Sequence, residues 1–187
     1  INNLFDLLWR LPLSYTDRTK KSKINELQIG KIHTLKILVK KYLFPRVRNL
    51  PNRVICEDST GKIDCVFFNS YEGYIRKILP LNEEVTISGK ISYFNKKYQI
   101  TNPTYVSKDN TLIEKIHSKY KLTEGVTGKM YNKIIDQILK NLPILTEWLD
   151  NEILKKFNNE TWNNSIIKLH NPKNIGNFKS NFYRRLA

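Results

Sequence analysis

With 187 residues and 40% hydrophobic content, the chain is long enough for one domain with a small appendage and can bury a core. Its 32 Lys+Arg against 17 Asp+Glu leave a net charge of +15, spread along the chain rather than held in one tail, which points to a polyanionic partner. No run approaches the ~18–20 apolar residues of a membrane span and no signal-peptide pattern is present, while His33, His117 and His170 lie far apart and form no metal-ligand cluster with Cys56 or Cys65, so membrane-spanning, exported and metal-centred classes are disfavoured.

Leu4, Leu7, Leu8 and Leu11 mark one face of a short helix that Pro12 ends. Tyr15, Asp17 and Arg18 then form a polar knot, expected to be a structural corner rather than a ligand site, and Thr19–Lys23 is a basic linker. From Ile24 to Val106 the pattern is that of strands. Ile24–Leu27 is a short one. Ile32–Leu43 is long, with Leu35, Ile37 and Val39 on one face. Phe44–Arg53, with Pro45, Pro51, Arg46, Arg48 and Arg53, is a loop. Val54–Glu57 and Ile63–Phe68 are strands about a turn at Asp58–Gly61. Tyr71–Leu79 is a helix closed by Pro80, Glu84–Phe94 alternates as a fourth long strand, and Tyr98–Thr101 returns after a turn at Asn95–Lys97. Three strands, a helix and a hairpin are the order of a five-stranded Greek-key OB barrel, in which Gly89 fits a corner bend. Cys56 and Cys65, on neighbouring strands, are expected to be reduced, buried and structural, as in a cytosolic protein.

After Lys108 the pattern turns helical. Thr127 caps a helix to Leu142 with Met130, Ile134, Ile135 and Ile138 inward, and Thr146 caps a second with Trp148, Leu149, Ile153, Leu154 and Phe157 inward. Asn163–His170 is a third, and Ile175, Phe178, Phe182 and Leu186 mark a fourth. The expected organisation is thus β plus α: a helical lead-in and basic linker over 1–23, an OB barrel over 24–107 and a helical region over 108–187.

Barrels of this kind bind nucleic acid between the loop after the first strand and the loop joining the last two. Here those loops carry Arg46, Arg48 and Arg53 on one side and Lys96 and Lys97 on the other, cations suited to phosphate. Phe67, Phe68, Tyr71, Tyr93, Phe94 and Tyr98 supply rings on which bases stack without regard to sequence. Strand period places Phe67 with Ile63 and Cys65 in the core and turns Phe68 outward. Tyr93 shares a face with Val85 and Ile87 and is assigned to the core, while Phe94 and Tyr98 fit either role.

Six segments in order, LPLSYTDR at 11–18, DSTGKIDCVFFN at 58–69, VTISGKISYFNKKYQITNPTY at 85–105, YKLTEGVTGKM at 120–130, LHNPK at 169–173 and RRLA at 184–187, resemble the wedge domain of the bacterial branched-DNA helicases of the RecG family. Ser118 and Lys121 stand where that family usually has proline. The resemblance implies an OB wedge that enters a replication fork or Holliday junction, stacks aromatics on bases at the branch and splits the arms while a motor pulls DNA across it. It assigns both Phe67 and Phe68 to the branch point, with Tyr71 close after and the 93–98 hairpin facing DNA. The chain has no GxxxxGK[ST] loop, so ATP and Mg are expected only of a full-length parent, with no cofactor, metal or catalytic residue in this segment. Helicase lobes are expected after RRLA and a helical segment before Ile1. The expected partners are branched DNA and the parent's own motor domains, with no membrane partner, in a monomer of the bacterial cytoplasm acting in DNA repair and recombination. Two alternatives stand beside it: a free-standing single-stranded DNA-binding OB protein and a protein-interaction module.

Overall fold

The computed structural model describes residues 3–47, 50–109 and 113–175. Arg48, and Phe178, Phe182 and Leu186 of the expected fourth helix, lie outside the described residues. In chain order the first elements are helix α1 (Leu4–Leu8), strand β1 (Ser14–Asp17), a 3-10 turn (Ile24–Glu26), β2 (Ile32–Leu43), β3 (Asn52–Glu57), β4 (Lys62–Phe67) and α2 (Glu72–Ile78). There follow β5 (Glu84–Phe94), β6 (Lys97–Thr101), β7 (Tyr105–Ser107), β8 (Ile116–Lys119), α3 (Gly128–Lys140), α4 (Asn151–Lys156) and α5 (Trp162–His170). The chain divides into two compact units. One runs from Arg18 to Lys115, and the other joins the segment up to Asp17 with that from Ile116 onward.

The Arg18–Lys115 unit is a closed barrel. Its strands lie in the order β2-β3-β4-β6-β5, and β5 pairs back onto β2. The β4–β6 pairing is parallel and the others are antiparallel. Closure leaves none of the five strands with a free edge, except that the short β7, absent from the expectation, adds antiparallel to β5. A register shift between Val39 and Lys41 bends β2 as it passes from β5 to β3. The core takes alternate residues from each strand, among them Leu35, Ile37, Val54, Ile63, Ile87 and Ile100, and is closed by Ile75 and Leu79 on and just after α2.

Gly89 does sit within the barrel wall, and the reason for it is close packing. A Cβ there would meet the Ile100 side chain at 2.6 Å. Cys56 and Cys65 are free and fully buried, with sulfurs 3.9 Å apart. Ile24–Leu27 is not a strand. The Ile24 N–H donates to Asp58 Oδ2 and the Asn25 N–H to Thr60 Oγ1, so this segment docks as a 3-10 turn on the β3–β4 turn. The same Asp58 carboxylate accepts from the Thr60 hydroxyl and the Thr60 and Gly61 N–H groups. Burial alone would raise its pKa, but those bonds outweigh it and hold it below the usual carboxylate value.

In the other unit, β1 and β8 pair antiparallel, so the polar knot at Tyr15–Asp17 is strand rather than turn. Tyr15 donates to the Leu169 carbonyl. Thr127 caps α3 through Met130 N, but Tyr131 and Ile135 are the buried residues of that helix while Met130 is exposed. The expected Thr146 cap is replaced. Glu147 accepts from the N–H groups of Trp148, Leu149 and Trp162, which holds the chain extended until Asp150 begins α4. Trp148 and Ile153 are accordingly exposed and Leu154 is buried. Among the described residues no helix is long and apolar enough to cross a membrane, and no group of three His, Cys, Asp or Glu suits a metal ion.

Candidate nucleic-acid interface

The candidate ligand residues all lie on the barrel unit, and strand register sorts them into two groups. β4 is the link between them. Its start lies beside the β5–β6 hairpin, with Ile63 opposite Tyr98, and its end lies beside the arginine loop, with Phe67 opposite Asn52. Phe68 is five residues beyond Ile63, about 16 Å along the strand. Arg46, Arg53, Phe68 and Tyr71 therefore belong to one end of β4, and Phe94, Lys96, Lys97 and Tyr98 to the other.

At the first end the ladder stops at Phe67, whose ring is 4% exposed and packs in the barrel core. Alternation then turns Phe68 outward, to 48% exposure. Asn69, at φ +54°, reverses the chain, and Tyr71 precedes α2 with 87% of its surface exposed. Across from this tip stand Val47 and Leu50 of the arginine loop, also exposed. Between them is a groove of about 510 Å³, walled by Val47, Leu50, Phe68 and Tyr71, with Asn52 and Asn69 among its polar groups. The loop's stem is stiffened from below. Tyr42 and Phe44 stack at 5.2 Å, Arg76 of α2 lies over both rings at 4.7 and 5.0 Å, and Tyr42 donates to the Leu79 carbonyl.

At the second end Asn95 and Lys96, both at positive φ, form the two-residue turn of a tight hairpin, and β6 begins already at Lys97. Phe94 pairs with Lys97 and is 52% exposed. Tyr93, assigned to the core by its period, is instead 50% exposed. β5 runs on past Ile91, its last core residue, so Tyr93 stands beyond the barrel interior, edge-on to the half-buried Tyr98 at 5.2 Å.

Arg46, Lys96 and Lys97 are exposed and Arg53 is half-buried, and none of the four takes part in an ion pair among the described residues. They are cations with no acid already in place. Arg18 is different. It is 5% exposed, donates to Ser88 Oγ and lies over the Tyr105 ring at 4.9 Å, so burial lowers its pKa and its role is internal. What sequence reasoning missed was the support of the tip. Asn102-Pro103 reads only as a strand stop, yet the Asn102 side chain holds Phe68.

The RecG wedge domain model matches residues 1–142 of this chain. The chain belongs to the RecG wedge domain family. Among relatives, the ATP-dependent DNA helicase RecG of Staphylococcus aureus (strain MRSA252) is 26% identical over 185 residues, covering 92% of this chain and 26% of the relative. That of Pasteurella multocida (strain Pm70) is 31% identical over 159 residues, covering 81% and 23%. The solved structure of RecG bound to a three-way DNA junction superposes with a TM-score of 0.85 at 26% identity, over 100% of this chain and 26% of that one. The chain thus spans about a quarter of the length of the curated relatives it matches. In this RecG wedge the OB barrel carries the exposed rings of Phe68, Tyr71, Tyr93 and Phe94, and the other unit carries all three tryptophans, Trp9, Trp148 and Trp162, of which Trp9 and Trp148 are exposed as well.

Proposed function

We propose that this chain is the branched-DNA-binding wedge module of a RecG-like ATP-dependent DNA helicase that unwinds and regresses replication forks and Holliday junctions in recombination and repair. The observation that carries this is the tip at Phe68. A strand end throws one ring outward, next to the fully presented Tyr71, on a barrel whose free cations flank it. Phe68 and Tyr71 stack on bases at the branch. Phe67 supports the tip from within the core. Arg46, Arg53 and the loop's Arg48 take phosphates beside the tip, and Lys96 and Lys97, with Phe94 and Tyr98, take a second backbone segment about 16 Å away along β4. The parent's motor lobes bind ATP and Mg and pull the arms across the wedge. This chain binds DNA as a monomer in the bacterial cytoplasm.

The test is fluorescence anisotropy with a three-way junction, duplex and single strand. Five phosphate contacts predict a salt slope near −4.5, so raising salt from 50 to 200 mM should weaken binding roughly 10²- to 10³-fold. A flat response would exclude phosphate contacts as the main term. The junction should bind tighter than duplex or single strand. Preference for single strand would instead make the chain a single-strand binder, and no DNA binding at all would make it a protein-interaction module. Phe68→Ala should cost about 1–3 kcal/mol on the junction and less on duplex. An equal loss on both would remove the stacking role.

A further inference from the structure

The end of β4 contains a substitution of side chain for main chain. In the parallel β4–β6 ladder Val66 faces Thr101, and the Val66 carbonyl accepts from the Asn102 N–H at 2.7 Å. The next rung of such a ladder would be the Phe68 N–H donating to the Asn102 carbonyl. That rung is not made by the backbone. Asn102 stands at φ +43° and turns the chain away into Pro103. Its side-chain oxygen takes the carbonyl's place instead, accepting the Phe68 N–H at 3.0 Å. On the other flank Asn52, opposite Phe67 in the β3–β4 register, donates from Nδ2 to the Ser70 carbonyl at 2.8 Å. Two asparagines, one at the start of β3 and one just past β6, thus hold the residues on either side of Asn69, the reversal point at φ +54°.

The chemistry explains why asparagine suits position 102. The position needs a residue that tolerates the left-handed region and also carries an acceptor three bonds from Cα. Glycine meets the first need and alanine neither. Without the acceptor, Phe68 loses its last tether to the sheet. Its ring, already outside the core, is then free to sample other directions. An exposed ring that must be ordered on binding gives up affinity to that ordering, whereas one held in place beforehand does not.

We propose that Asn102, seconded by Asn52, is a positioning residue that pre-orients Phe68 for the branch point. This rests on the assignment of Phe68 to the branch above. It predicts that Asn102→Gly, which keeps the backbone conformation but removes the acceptor, lowers junction affinity while duplex affinity and the salt slope stay as they were. Asn102→Asp, which keeps an acceptor oxygen, should restore most of the junction affinity. The deciding measurement is a double-mutant cycle on the full 187-residue chain, read by anisotropy on a three-way junction and a duplex, with far-UV circular dichroism confirming the fold of each variant.

If Phe68→Ala weakens junction binding roughly 5- to 150-fold, the range expected for one stacked base, Asn102→Gly should reproduce a substantial part of that loss in the wild-type background. It should add less than about twofold in the Phe68→Ala background, because residues that act through one another are not additive. Additive losses, or equal losses on junction and duplex, would overturn the positioning role. Asn102→Asp behaving like Asn102→Gly would overturn it as well. Should Phe68→Ala itself leave junction preference intact, the failure lies with the branch-point assignment and not with the hold of Asn102 on Phe68.

Discussion

At the scale of single residues, the helical unit hides a titratable group whose state the fold dictates. His170 is 4% exposed. Its Nε2 sits 2.8 Å from the Leu8 carbonyl and its Nδ1 2.8 Å from the Tyr120 hydroxyl. A carbonyl can only accept, so Nε2 carries the hydrogen and the neutral ring takes the Tyr120 proton at Nδ1. Burial lowers the His170 pKa, and the bond to Leu8 offsets only part of that. The unfolded chain, with a histidine pKa near ~6.5, therefore binds more protons than the folded one just below that pH. Stability should fall as pH drops from about 6.5 through the lower folded value. Because every tryptophan lies in this unit, its melting is read by tryptophan emission. The midpoint should fall between pH 7.5 and 5.5, and in His170→Gln the drop should shrink. A wild-type midpoint that holds steady would contradict the buried neutral ring.

At the scale of elements, the barrel strands were legible because each repeats a simple instruction. Ile32–Leu43 and Glu84–Phe94 have the bounds their alternation predicts. Alternation was less informative where burial ceased to be one-sided. In β5 both faces are covered from Val85 to Gly89, Thr86 and Ser88 included, and beyond Ile91 neither Tyr93 nor Phe94 is. Period alone put Tyr93 inside because it could not show where the barrel ends. Gly89 was correctly marked as special, but only the Ile100 contact gives the cause. Gly89→Ala should therefore destabilise the barrel by about 1–3 kcal/mol through overpacking. The pairing Gly89→Ala with Ile100→Leu, which lacks the Cγ2 methyl that the new Cβ would meet, should relieve part of this in chemical denaturation followed by far-UV circular dichroism. No relief would shift the cause from Ile100 to the neighbouring Pro103 backbone. The short pieces β1, β7 and β8, of three to four residues, carry too few alternations to be recognised without their partners.

At the scale of the whole molecule, the net charge of +15 is general while its use is local. Several lysines are occupied by acids, among them Lys36 with Glu84 and Lys40 with Glu57. The hairpin lysines are in no such pair among the described residues. Replacing Lys96 and Lys97 together by alanine should weaken junction and duplex alike and make the salt slope shallower by nearly two, since phosphate contacts carry no preference for branch or base. Junction preference lost at an unchanged slope would instead place the hairpin at the branch itself. The contrast with Phe68→Ala, which should alter preference and leave the slope, separates the two ends of β4 by their function as register separates them in space.

The sequence by itself determined the OB order, the long strands, the cap at Thr127, and the inward Phe67 with the outward turn of Phe68, because period and local hydrogen-bonding chemistry act over a few residues. It also carried the family, through six segments in register. Tertiary structure alone decided that Tyr93 is not interior and that the arginine loop and the lysine hairpin stand at opposite ends of one strand. It also decided that a distant asparagine completes the rung beneath Phe68. Each of these depends on which strand lies beside which and where the barrel closes, and those are relations between residues tens of positions apart.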